Sequence, residues 1–456
     1  MKIKLCLTGR LFLVATLFTV PPVAYGADFT INGISYNVIS VKDKTVEVTS
    51  GEVKYSGDVI IPSTVLYNET DFTVASVGYR TFFQCYNVTS VIIPKSVTTI
   101  AERAFSYCTK LTSVIIPNSV IIIGISAFSY CTNLSEVIIS DSALTIADDV
   151  FAGCYKLTSV IIPNFVTTIG KSAFRGCKGL ARIKIGDSVR TIDMNAFEDC
   201  TGLTSVIIPN NVITIGSSAF SRCSSLKSVI IGSSVTIINY FAFSGCKALT
   251  SIYVDHDNVN YTSVDGVVFS KDNAILITVP AGKSGNYTIP VSVSTIGFSA
   301  FLGCSSLTLV TIPDSVNKIE IEAFYGCNNL AIIKCEALRP PTSSAFPESV
   351  YSTAKLYVPA SAIKEYASAY IWKEFENIVP LAASSVETGM LRTVKCYASR
   401  NAVTIENAEG QMVYIYTPAG RKINGFTATD AIQHIELSAG IYIVTVNGKS
   451  YKVITI

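Results

Sequence analysis

The chain has 456 residues and a net charge of +2 with its charges interspersed, so it exceeds one ordinary core and calls for several domains or a repeat array. No basic stripe implies nucleic acid and no acidic tail implies a basic partner. Its 49% apolar content and mean hydropathy of +0.44 would suit membrane spans. The excess, however, is Ile and Val in short runs closed by Pro, Ser or Gly, and no segment after the leader reaches the roughly 18 apolar residues of a spanning helix.

In chain order, Lys2, Lys4 and Arg10 precede the apolar run Leu11 to Val20, followed by Pro21-Pro22 and the small-residue site Ala24-Tyr25-Gly26. This pattern predicts a secretory signal peptide over residues 1–26, cleaved after Gly26, and hence an exported mature chain with no transmembrane segment. A buried first strand would not need the charged flank. Cys6 precedes the apolar core, unlike a lipoprotein acceptor cysteine. Residues 27–58 are then expected as an N-terminal cap.

A cysteine next recurs three residues after a phenylalanine ten times. The pairs begin at Phe82/Cys85, run at intervals of 23 to Phe243/Cys246, and resume at Phe301/Cys304 and Phe324/Cys327. A fixed period of about 20–50 residues signals stacked supersecondary units. Counting from Cys108, Leu111 lies at +3, Val114 at +6 and Ile116 at +8, followed by Pro117. Such alternation predicts a strand with inward +6 and +8 residues, stopped where proline has no N–H to donate. Ser119-Val120, Ile123 and Gly124 predict a second short strand and a turn. The stretch Ala127-Phe128-x-x-Cys131 predicts one helical or 3-10 turn with Ala, Phe and Cys inward. The predicted fold is mainly β: a solenoid of 23-residue repeats followed by a small β-sandwich.

The pattern L-x-x-V-x-I-P-x-S-V-x-x-I-G-x-x-A-F-x-x-C resembles the BspA-like class of bacterial leucine-rich repeats, a family of surface and secreted proteins. The resemblance covers residues 59–334 and implies a leucine-rich-repeat solenoid. Residues 253–290, with Asp265-Gly266-Val267-Val268-Phe269 and Tyr287-Thr288-Ile289-Pro290, resemble the degenerate repeat found within such arrays. Residues 335–380, with Leu356 to Pro359, Tyr366, Trp372, Phe375 and Ile378, resemble the segment that closes them, and a terminal unit must hide the exposed end of the core. An Ala/Ser-rich linker is expected at 381–390. In 391–456, the short alternating runs Ala402–Ile405, Met412–Tyr416, Ile435–Leu437, Ile441–Val446 and Tyr451–Ile456 are separated by Gly410, Pro418-Ala419-Gly420, Ala439-Gly440 and Asn447-Gly448. They predict the β-sandwich, which resembles the C-terminal sorting domains of exported proteins.

Ten cysteines in an exported chain invite a disulfide reading. The repeat instead places each at one inward slot facing its counterparts, with parallel Cβ vectors that suit the disulfide dihedral poorly, so a buried ladder of thiols is expected. There is no C-x-x-C pair, and His256 and His434 fall in different domains, so neither a metal nor a cofactor is expected. Asp255-His256-Asp257 could form a carboxylate–histidine pair, or simply a solvated loop. No G-x-S-x-G, P-loop or dinucleotide fingerprint is present, and no catalysis is expected. Asp141-Ser142-Ala143, Asp187-Ser188-Val189 and Asp314-Ser315-Val316 resemble an O-glycosylation signal of some exported bacterial proteins, and coincide with turns the repeat needs anyway.

Position +7 lies between two inward residues and must point out of the sheet. It reads Ile92, Ile115, Ile138, Ile161, Lys184, Ile207, Ile230 and Tyr253, flanked at +5 mostly by Ser and once by Arg182. Isoleucine here reflects either β-propensity or a ligand surface. These nine residues are the candidate ligand-binding face. The resulting expectation is an extracellular binding or adhesion protein that contacts a host or bacterial extracellular protein. The alternative is a glycan-binding accessory protein, for which only Tyr253 supplies an aromatic platform on this face; an enzyme ranks third.

Overall fold

A computed structural model describes residues 26–343, 346–381, 394–399, 402–406, 408, 410–417, 422–429, 432–438, 440–446 and 449–455. The predicted signal peptide up to residue 25, most of the predicted linker, and the predicted turns at Pro418-Ala419-Gly420, Ala439 and Asn447-Gly448 lie outside these residues. The chain forms two compact units, residues 1–157 and 158–456. It is mainly β, with 37% strand against 5% helix, as a β-solenoid of about 13 turns followed by a C-terminal β region.

In the first unit, Phe29–Ile31, Ile34–Ser40 and Thr45–Thr49 pair antiparallel. Thr45–Thr49 then pairs parallel with Thr70–Val77, which begins a ladder of two-residue strands at Thr99–Ile100 and Ile122–Ile123. Tyr36, Val46 and Val48 are buried at this end of the core. On the other side of each turn, Ser113–Ile115 pairs in register with Glu136–Ile138.

The second unit shows the repeat at its most regular. Ser205–Ile208 and Ser228–Ile231 pair parallel with Val206 opposite Val229 and Ile207 opposite Ile230. Identical residues therefore stack one strand spacing apart, about 4.8 Å. Inside, Phe174, Phe197, Phe220 and Phe243 form a column with ring centroids 5.2–5.7 Å apart and planes within 11° of parallel. Such offset aromatic contacts add to burial at every step.

The predicted helical or 3-10 turn closes i→i−3 bonds, as such a turn does, but it does not run as a helix. In the Cys200 repeat, Ala196, Glu198 and Cys200 donate back to Asp193, Asn195 and Phe197, whereas Asn195, Phe197 and Asp199 donate to Ser217, Ala219 and Ser221 of the next repeat. Asn195 and Asp199 have φ of 57° and 58°, the left-handed region that interrupts a helix. Two tight turns thus alternate local bonds with bonds to the neighbouring rung, and a third hydrogen-bonded side joins the two sheets. Gly216, expected to supply a turn, is not left-handed; a Cβ there would lie 2.5 Å from the carbonyl carbon of Asp193, so close approach of two rungs requires glycine.

The repeat cysteines are buried, as expected, and among the described residues none forms a disulfide. Most of the repeat thiols find an acceptor beyond their own ladder. Cys200 donates to the carbonyl of Phe174 at 3.2 Å, Cys223 to Phe197 at 3.2 Å and Cys246 to Phe220 at 3.1 Å. A small apolar side chain with one weak donor therefore adds a second bond to a carbonyl that already accepts the N–H of the cysteine in its own turn. Titrating the native protein with a thiol reagent should label almost none of the ten, and denaturation without reductant should expose nearly all. A requirement for reductant first would establish disulfides instead.

Beyond residue 393, two antiparallel sheets face each other. Lys395–Ser399, Ala402–Glu406 and Ile432–Glu436 form one, and Lys422–Thr427, Met412–Tyr416, Gly440–Val446 and Lys449–Thr455 form the other. Val403 and Ile405 of the first sheet share a core with Val413, Ile415 and Val444 of the second, giving the sandwich that the alternation predicts. The strands at Lys395–Ser399 and Lys422–Thr427 are additions to the sequence reading. The second contains Asn424-Gly425, which reads locally as a turn rather than a strand interior.

Candidate functional site

The sheet face is built by the strand alternation. In the first unit Val114 and Val137 point inward and are buried, while Ile92, Ile115 and Ile138 are 51–64% exposed. Ile60 extends the row, paired with Ile92 and 65% exposed; sequence reasoning missed it because the F-x-x-C signature begins only at Phe82. In the second unit Ile161 pairs with Lys184, and Ile207, Ile230 and Tyr253 follow one another in register. These four apolar side chains are 44–66% exposed. The outward assignment at +7 therefore holds in each unit by itself.

Arg182 and Lys184 are both exposed on this face, and neither makes an ion pair among the described residues. Their strand, Arg182–Lys184, buries its central Ile183 less completely than the other repeats bury valine there. A different charged cluster lies on the turn side, where sequence reasoning did not look. Arg222 holds Asp199 through two bonds of 2.7 and 2.9 Å and reaches Glu198 at 2.9 Å. The hydrogen bonds from Arg222 hold the Asp199 carboxyl below its ordinary value. Exposed on its basic side, this pairing stabilises adjacent rungs only weakly.

Asp255-His256-Asp257 brings the imidazole within 3.5 Å of one carboxylate and 3.2 Å of the other. His256 and Asp257 are exposed, and Lys271 donates to the His256 carbonyl at 3.0 Å. The triplet is thus a solvated turn with a cation beside it rather than an enclosed centre. The three Asp-Ser triplets do fall in turns, where their third residues, Ala143, Val189 and Val316, are buried; Ser315 is tied to the carbonyl of Val293 at 2.8 Å.

Rungs of 23 residues, a parallel sheet with an apolar outward row, and an interior filled by stacked Phe and Cys define a leucine-rich-repeat scaffold, which offers an extended surface rather than a single pocket. The comparisons agree. The chain belongs to the BspA-type leucine-rich repeat family, whose description, BspA type Leucine rich repeat region (6 copies), matches residues 68–181, 145–275 and 281–378. Residues 380–455 match a domain of unknown function, DUF6383.

Among solved structures, the chain is similar to a leucine-rich cell surface protein from Faecalibacterium prausnitzii. That pair is 26% identical with a TM-score of 0.54, covering 78% of this chain and 95% of that one. A leucine-rich repeat protein from Bacteroides ovatus is 24% identical with a TM-score of 0.48, covering 78% and 99%. The pneumococcal vaccine antigen PcpA is 18% identical with a TM-score of 0.39, covering 76% and 96%. No curated protein matches the chain.

Proposed function

We propose that this chain is an exported cell-surface binding protein, without catalysis, that holds an extracellular protein against the outward face of its parallel sheet. The exposed Ile row at +7 carries the reading: it puts apolar side chains on a solvent face in each unit, where an isolated exposed residue would need no explanation. The similarity to a leucine-rich cell surface protein and the leader-like N-terminus support the location. The sandwich is read as the sorting or anchoring element of the same protein.

The test is an array of purified extracellular proteins probed with the mature chain, followed by two paired variants against any hit. Ile115→Ser with Ile138→Ser should weaken binding about tenfold or more without changing its salt dependence. Arg182→Ala with Lys184→Ala should weaken binding and flatten that dependence, since exposed charges act through screened fields. Both pairs should leave the melting temperature nearly unchanged. Binding that survives both pairs would move the ligand off the sheet.

A further inference from the structure

Within the second unit the stack is interrupted where the atypical segment replaces a regular rung between Cys246 and Cys304. In the Cys177, Cys200, Cys223 and Cys304 repeats, the N–H groups five, three and one residues before the cysteine donate to the next rung at 2.7–3.2 Å. In the Cys246 repeat those positions are Phe241, Phe243 and Gly245, and among the described residues none of the three donates to any acceptor. Across the gap, the Ala300 carbonyl takes the N–H of Val279 at 2.8 Å, so Val279 occupies one position of the missing rung. The carbonyls of Phe298 and Leu302, which a full rung would have engaged, accept nothing.

Space accompanies these open groups. A cavity of about 260 Å³ lies between the two rungs, lined by Phe241, Phe243, Ile277, Thr278, Phe298 and Leu302. Phe243 is 7% exposed there, whereas Phe220 in the rung before is fully covered. Tyr240 and Phe298 lean together over the gap, ring centroids 4.5 Å apart. Glu320 at the rim is paired with Lys318 at 2.8 Å, so the slot carries no unbalanced charge.

We propose that this slot is a binding site for a short extended peptide with an apolar side chain. Carbonyls of the peptide accept from Phe241 and Phe243, and one of its N–H groups meets the carbonyl of Phe298, on one side of the Val279–Ala300 bond. Donors two residues apart on one wall and an acceptor on the other call for a ligand that offers both along its length, which an amide backbone does and an anion or hydrocarbon does not. The apolar lining and the cavity volume suit one large side chain. This site lies on the turn side, so it stands or falls separately from the sheet-face reading.

The experiment uses the mature chain labelled with ¹⁵N-phenylalanine and the probe acetyl-Leu-Phe-Leu-amide. Without probe, the Phe241 and Phe243 amides should exchange with solvent at least 100-fold faster than those of Phe197 and Phe220. Added tripeptide should shift the Phe241 and Phe243 amide signals saturably and slow their exchange. Ile277→Trp, which fills the slot, should weaken this binding about tenfold or more, and Thr278→Phe provides a second filling variant should the first unfold. Three results would each overturn the proposal: Phe241 and Phe243 amides as protected as those of Phe220 in the free protein, tripeptide binding that survives a folded filling variant, or shifts produced by N-acetylglucosamine and not by the tripeptide.

Discussion

Raising the pH from 8 to 11 is expected to unfold the repeat array in one steep transition. Burial pushes the Cys131 and Cys327 thiols up to about 12 and the Cys335 thiol up to about 11, and raises Cys200 and Cys304 well above their ordinary value. An unfolded thiol ionises near its reference value of about 8.5–9, whereas these stay protonated in the folded chain. Above that reference value the unfolded state binds fewer protons than the native one, so each thiol contributes stability that is complete below about pH 9 and is lost as the pH climbs toward the folded value. Each thiol tilts the balance by about 1.4 kcal/mol per pH unit in this window. Cys327 and Cys335 together therefore cost the second unit close to 3 kcal/mol per unit, against a total stability on the order of 5–15 kcal/mol. Circular dichroism and urea titrations at fixed ionic strength measure the slope. Cys327→Ala should make it shallower by one thiol's share. Stability that stays flat from pH 8 to 11 would show that the thiols do not stay protonated within the fold.

The period, the inward Phe and Cys and the outward +7 residues were legible in the sequence because each is a single-residue consequence of stacking: any position that must meet its own copy every 23 residues is held to one residue type. The left-handed turns were not legible. Arg103, Tyr107, Ser126 and Asn195 all have φ between 54° and 64°, although none is a glycine, and no local propensity places a tyrosine or arginine there. The rung-to-rung ladder imposes that conformation, a tertiary effect invisible at short range. The thiol-to-carbonyl bonds were hidden for the same reason, since donor and acceptor lie 26 residues apart. The interrupted rung was visible only as a 58-residue interval between cysteines; which donors it strands depends on how Val279 folds back beneath Ala300. On the sheet face the row could be read, but its start at Ile60 lay before the repeat signature.

Truncating Trp372 to alanine is expected to destabilise the second unit by about 3–5 kcal/mol, the range for deleting a large buried aromatic. The column of parallel rings runs through Phe301 and Phe324 to Phe346, with centroids 4.7 and 4.9 Å apart. There the geometry changes. Trp372 meets Phe346 at 63° and Phe375 meets it at 73°, so the last ring face is closed by edges that offer no further face to stack upon. Trp372 donates its indole N–H to the carbonyl of Pro341 at 2.8 Å, and Tyr366 donates to the carbonyl of Ala337 at 2.9 Å. Both aromatics thus enter the core without stranding a polar atom. Ile371, at φ 71°, takes a strained conformation for a β-branched residue in order to turn Trp372 inward. Removing Leu356 to Val379 entirely should expose the end of the ladder and its unpaired strand edge, and the shortened chain should aggregate. Thermal melts with light scattering check both variants, and Tyr370→Ala, at an 80% exposed position, is the control expected to melt as the parent does. If the deletion stayed monodisperse with an unchanged melt, the stack would end in stable form at Phe346, and the segment after it would be a passenger rather than a cap.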